Sequence, residues 1–181
     1  DEIQTFGRTT ELFSFQMFEL DKFVDLVTVG KALQCCGILF TEELNPKPGL
    51  IAGTFNGSLV SLNAANKTVR YLREGNFYGP NGRIKELENK FLTNLQSLAL
   101  KSCKDKITYC GGIGTMISFE VGDSSKETTM KYIKQLFLNG VIAFMAGNNP
   151  TRVRFLLPLS LTDKHIDEIM NIIEKSATEV L

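Results

Sequence analysis

The feature that most limits the fold is the run Phe23-Val24-Asp25-Leu26-Val27-Thr28-Val29, closed by Gly30-Lys31. Its apolar and β-branched content reads as a buried strand with a lysine at its tip. At the first residues stands Asp1-Glu2-Ile3-Gln4, the expected tail of a second strand. Such strand ends would bring a carboxylate and an amine close together. Open parallel sheets bind their ligands at that edge.

The rest of the chain alternates elements. A short helix is expected over 11–18, a strand over 37–41 and a loop at Asn45-Pro46-Lys47-Pro48-Gly49. Leu59, Leu62, Ala65, Val69 and Leu72 follow the helical period and predict a helix over 59–74. Ile84, Leu87, Phe91, Leu95 and Leu98 predict another over 83–100. Beyond residue 105 the spacing predicts β-β-α-β-β-α. Strands are expected at 107–110, 115–121, 140–144 and 152–157, with a turn at 111–114. The first of the two helices, 126–138, is expected to bury Met130, Ile133, Leu136 and Phe137. The second, 163–180, has Thr162 as its N-cap and Leu161 and Ile166 as a hydrophobic staple. The fold class is α/β. Residues 1–74 are expected to form part of one domain with its connecting helix, and residues 75–181 a small α/β domain with helices on one face of a mixed or antiparallel sheet.

At 181 residues the chain can bury its own core. Its 20 basic residues balance its 20 acidic ones, which argues against nucleic-acid or anionic-membrane partners. No apolar run approaches the roughly 18 residues that span a bilayer. With no leader pattern visible, a cytoplasmic location is expected. Cys35, Cys36, Cys103 and Cys110 are expected to be reduced core thiols, and with His165 as the one histidine no metal site is expected. Met116 and Met130 read as core fillers, Arg8 as structural. The chain begins inside what reads as a motif, so it is expected to be a piece of a longer protein.

The motifs together resemble the C-terminal half of the class III aminotransferases, pyridoxal 5'-phosphate (PLP) enzymes of fold type I. Asp1-Glu2-Ile3-Gln4-Thr5 and Phe6-Gly7-Arg8-Thr9 are similar to the family's Asp-Glu-[Val/Ile]-Gln-Thr and Phe-Gly-Arg-Thr. Asp25-Leu26-Val27-Thr28-Val29-Gly30-Lys31-Ala32-Leu33 resembles its Asp-Ile-Val-Thr-Leu-Gly-Lys-Ala-Leu. Gly53-Thr54-Phe55-Asn56-Gly57-Ser58, Gly112-Ile113-Gly114 and Val153-Arg154-Phe155-Leu156-Leu157-Pro158-Leu159 match further motifs in order. Gln34-Cys35-Cys36 resembles the Gln-x-Cys segment of the lysine 6-aminotransferase branch. Two family glycines are absent, at Thr5-Phe6 and at Thr9-Thr10. A loop needing positive φ there would be strained.

The resemblance implies roles. Asp1 would face the pyridine nitrogen and Gln4 the phenolic oxygen. Lys31 would be the catalytic Schiff-base lysine, and Thr54, at a helix start, would bind the cofactor phosphate of a neighbouring subunit. That sharing implies a homodimer. Arg154 would hold a substrate carboxylate. The implied activity moves an amino group, from a terminal amine such as that of lysine, ornithine or 4-aminobutyrate, to 2-oxoglutarate. An N-terminal half with the Gly-rich phosphate loop would be needed, and alone the chain is expected to bind PLP weakly or not at all. Two alternatives remain: a non-catalytic module or remnant that assembles with the missing half, and a class III mutase or decarboxylase, which keeps the lysine but exchanges no nitrogen.

Overall fold

The computed structural model describes residues 1–54 and 56–181; Phe55, within the Gly53–Ser58 motif, lies outside them. The chain divides into two compact units, Asp1–Lys85 and Glu86–Leu181. The division falls inside the second long helix, the one expected over 83–100.

In the first unit, residues 1–10 form turns in place of the expected strand tail. They still lie along β1 (Leu26–Val29), because the Glu2 amide donates to the Thr28 carbonyl at 2.9 Å. A short helix, α1 (Ser14–Met17), occupies part of the expected 11–18. β1 pairs with β2 (Gly37–Phe40) in antiparallel register, Leu26 opposite Phe40 and Val29 opposite Gly37. The parallel neighbour suggested by the strand-tip reading is therefore replaced by a turn on one side and an antiparallel partner on the other. The missing family glycines do no damage: Gly7 takes φ +70° while Thr5, Phe6, Thr9 and Thr10 keep negative φ.

α2 (Leu59–Glu74) has the expected bounds. Its stripe is only half used: Ala65 and Leu72 are buried, whereas Leu59 is 83% exposed and Leu62 is exposed too. The helix thus packs through its C-terminal turns. Phe23, Leu26, Ile38, Leu39, Leu50 and Val60 also face outward.

α3 (Arg83–Leu100) buries Ile84, Leu87, Phe91 and Leu95 completely, as the spacing requires. In the second unit a four-stranded antiparallel sheet runs in the order β3-β4-β6-β5: β3 (Ile107–Ile113), β4 (Met116–Val121), β5 (Phe144–Ala146) and β6 (Arg152–Leu156). α4 (Lys126–Leu138) and α5 (Asp163–Val180) complete it. Ile117, Phe119, Val121, Val153 and Phe155 are buried, so one face of the sheet feeds the core. Phe155 sits between Phe91 and Phe119, ring centroids 5.6 and 6.0 Å away. Tyr132 on α4 donates its hydroxyl to the Ile173 carbonyl of α5 at 2.9 Å.

Three expectations shift here. β3 runs on through Gly111, Gly112 and Ile113, and the turn moves to Gly114-Thr115. A side chain at Gly112 would put its Cβ 2.2 Å from the Met116 carbonyl oxygen, so close pairing with β4 demands glycine. β5 starts at Phe144 because residues 139–141 end α4 in a Schellman turn. The Gly140 amide donates to the Phe137 carbonyl at 3.1 Å and Val141 to Leu136 at 2.8 Å. On α4 the buried positions are Thr129, Tyr132 and Leu136, with Ile133 packed at the edge. Met130 and Phe137 face outward at 51% and 63%, so Met130 is no core filler. At α5 the capping box is completed by His165, whose Nδ1 accepts from the Thr162 amide at 3.2 Å.

Candidate active site

Lys31 follows β1 through Gly30, which is extended (φ −177°, ψ −154°). It opens the 3-10 turn Lys31–Leu33, is exposed, and has φ +46°. A left-handed lysine costs about 1–3 kcal/mol, a strain that surrounding structure must hold. Gln34 closes the turn, left-handed as well, and the chain re-enters β2 through Cys35 and Cys36.

Asp1 is tied to the same strand. Its Oδ1 accepts from the Thr28 hydroxyl at 3.2 Å and from the Ile3 amide at 2.7 Å. Thr28 precedes Lys31 by three residues, roughly 10 Å of extended chain. Gln4 is half-buried, and its carbonyl accepts from Arg8 Nη1 at 2.9 Å, consistent with a structural Arg8. Thr54 is exposed in a turn ahead of Ser58, the N-cap of α2.

A cavity of about 550 Å³ joins these motifs. Ile3 reaches it from the Asp1–Gln4 turn, Thr28 and Val29 from the strand that leads to Lys31, and Asn56 and Gly57 from the loop that holds Thr54. Cys36 lines it too. It is exposed, which corrects the expectation of a core thiol. Cys103 is buried, and burial raises its thiol pKa; burial lifts the half-buried Cys110 to about 11.

Arg154 belongs to the second unit. It lies on β6 opposite Ser118 of β4, half-buried, with its guanidinium carbon 5.9 Å from the centre of the Phe144 ring. Two strand positions away, on the same face, Arg152 Nε donates to Glu120 Oε1 at 3.0 Å and its guanidinium covers the Tyr109 ring at 3.8 Å. Among the described residues no cluster of three or more His, Cys, Asp or Glu side chains could hold a metal ion, and no helix is long and apolar enough to cross a membrane.

The family model for "Aminotransferase class-III" matches residues 1–177. This chain belongs to the class III aminotransferases. It is similar to an acetylornithine aminotransferase of Bacillus cereus, 30% identical, with 97% of this chain and 44% of that one covered. A probable 4-aminobutyrate aminotransferase of Bacillus subtilis is also 30% identical, over 96% of this chain and 41% of its own. The solved lysine aminotransferase from M. tuberculosis superposes on 100% of the chain and 41% of itself, with TM-score 0.83 and 25% identity. The class III chain in hand thus spans less than half the length of these relatives.

Class III aminotransferases depend on PLP, and the first unit has the donor set for it. Asp1 presents a carboxylate held by Thr28, Lys31 offers an exposed amine at the end of the same strand, and a cavity lies between the motif loops. Two residues of this neighbourhood drew no notice in the sequence. Thr28, which orients Asp1, looked like one more strand residue. Glu2, 4% exposed, is a buried acid that composition alone places at the surface.

Proposed function

We propose that this chain is the C-terminal half of a PLP-dependent aminotransferase whose donor carries an amine remote from its carboxylate. The observation that supports this most strongly is the convergence of three motifs, those of Asp1, Lys31 and Thr54, on one cavity of the first unit. In this reading Asp1–Lys85 belongs to the cofactor-binding large domain and Glu86–Leu181 is the small domain.

When bound, PLP supplies an electron sink for the carbon that bears the amine. Lys31 would hold the cofactor and then, as a free amine, take the proton from that donor carbon. Asp1 would keep a negative charge opposite the ring nitrogen, Gln4 would bond the phenolic oxygen, and the Thr54 hydroxyl would meet the phosphate, from a partner subunit in a homodimer. Arg154 would hold a substrate carboxylate through two parallel hydrogen bonds. The names of the relatives support an acetylornithine, 4-aminobutyrate or lysine type of donor, and a diaminobutyrate–2-oxoglutarate aminotransferase of Rhizobium meliloti among them supports 2-oxoglutarate as acceptor. Gln34-Cys35-Cys36 favours the lysine branch. The exposed apolar face of the first unit supports assembly with an N-terminal half and a second subunit.

The assembled protein, given PLP, should gain near-visible absorption that Lys31→Ala removes. It should also transfer nitrogen from a terminal amine to 2-oxoglutarate. Absorption without nitrogen transfer would favour the mutase, and a protein that takes up no PLP would favour the non-catalytic module.

A further inference from the structure

Glu2 is the most heavily bonded acid of the first unit. Its Oε1 accepts from the Ser14 hydroxyl at 2.6 Å and the Phe15 amide at 2.9 Å. Its Oε2 accepts from the Ser14 amide at 3.1 Å and from the Thr5 hydroxyl. Its backbone is fixed as well: the amide donates to Thr28, and the carbonyl accepts from the Phe6 amide at 3.0 Å. The residue is 4% exposed, and in the same segment the rings of Phe6, Phe13 and Phe15 have successive centroids 5.3 Å apart. A buried carboxylate is tolerated only when its lone pairs are used, and here all four bonds come from neutral donors, one at Thr5 and three at the start of α1.

The consequence falls on the residue next door. Asp1 is exposed and has two bonds of its own, to Thr28 and Ile3. Two bonds on one oxygen leave its carboxylate free to swing unless the backbone is held. Glu2 holds that backbone against β1 on one side and against Ser14-Phe15 on the other.

Resting on the PLP reading above, we propose that Glu2 is a positioning residue: it clamps the first loop so that the Asp1 carboxylate keeps a fixed direction beside the strand that leads to Lys31. Glu2 touches neither cofactor nor substrate in this role. Its carboxylate geometry is specific. In Glu2→Gln the amide NH2 must face one backbone N–H, of Ser14 or of Phe15, which leaves a buried donor without an acceptor.

Three measurements test this. Hydrogen exchange of the Ser14 and Phe15 amides, in the chain without cofactor, should accelerate about tenfold or more in Glu2→Gln and less in Ser14→Ala, with Glu11→Gln unchanged. In the assembled protein, PLP affinity should fall about tenfold in Glu2→Gln and about threefold in Ser14→Ala. The pH profile of the cofactor's absorption should move to lower pH as the ring nitrogen loses its fixed counter-charge. A purely structural Glu2 would lower the melting temperature and leave the profile of the folded protein where it was. Unaltered exchange in Glu2→Gln contradicts the clamp whatever the cofactor does. Faster exchange with unchanged affinity and profile contradicts the positioning role. Parental protein that binds no PLP, with exchange responding as predicted, overturns the cofactor reading and this role with it.

Discussion

At the residue scale the first unit is organised by two neighbouring acids with opposite environments. Asp1 is exposed and Glu2 buried, and both are bonded to Thr28, one through its side chain and the other through its backbone. Burial pushes the Glu2 carboxyl up, but the hydrogen bonds from Ser14, Thr5 and Phe15 together outweigh it, so its pKa lies below the usual glutamate range. A lowered folded-state value means Glu2 contributes stability above about pH 4.3, the unfolded value, and loses it as pH falls through the folded one. Acid titration of unfolding should therefore be shallower in Glu2→Gln than in the parent; equal slopes would show that Glu2 is not the group responsible. Thr28→Val removes the hydroxyl that holds Asp1 and should weaken PLP binding severalfold, read by equilibrium titration, with little change in melting temperature because Thr28 is only half-buried. Lys31 and Asp1 drew notice in the sequence because they stand in motifs that resemble the family's. Glu2 and Thr28 did not, since their hydrogen bonds join residues far apart in sequence.

At the element scale, periodicity located the long helices well and the short strands less well. α2, α3, α4 and α5 stand at their expected bounds because each carries three or more turns of patterned sequence. The face of α4 was misjudged. Met130 and Phe137 carry apolar side chains, but the helix is rotated so that Thr129 and Tyr132 fill the core, and Tyr132 can be buried because its hydroxyl reaches Ile173. The β3 boundary was misjudged since Gly111-Gly112 reads as a turn, whereas here glycine permits close strand pairing. Gly112→Ala should accordingly destabilise the second unit by about 1–3 kcal/mol, measured by urea unfolding. A neutral result would mean that β3 can retreat from β4 at no cost.

At the scale of the whole molecule, the second unit has a core of side chains from all its layers, while the first leaves more of its large apolar residues exposed. Composition could not reveal this, because the same leucines that make a helix amphipathic can face a partner or a core. Charge substitutions at Leu59 and Val60, 83% and 82% exposed, should leave the melting temperature within about 1–2 °C. They should disrupt association, read by sedimentation velocity of the assembled protein. Unchanged sedimentation would remove that face from the interface. The α/β class and the order of elements were legible from the sequence; the antiparallel pairing of β1 with β2 was not, since an apolar run gives no strand direction.

The cofactor reading turns on which of the fourteen lysines carries PLP. Borohydride treatment of the PLP-loaded protein, followed by peptide mass mapping, fixes the cofactor on the lysine that holds it. A single modified residue, Lys31, is the predicted result. A pyridoxyl group on any other lysine, with Lys31 unmodified, would contradict it.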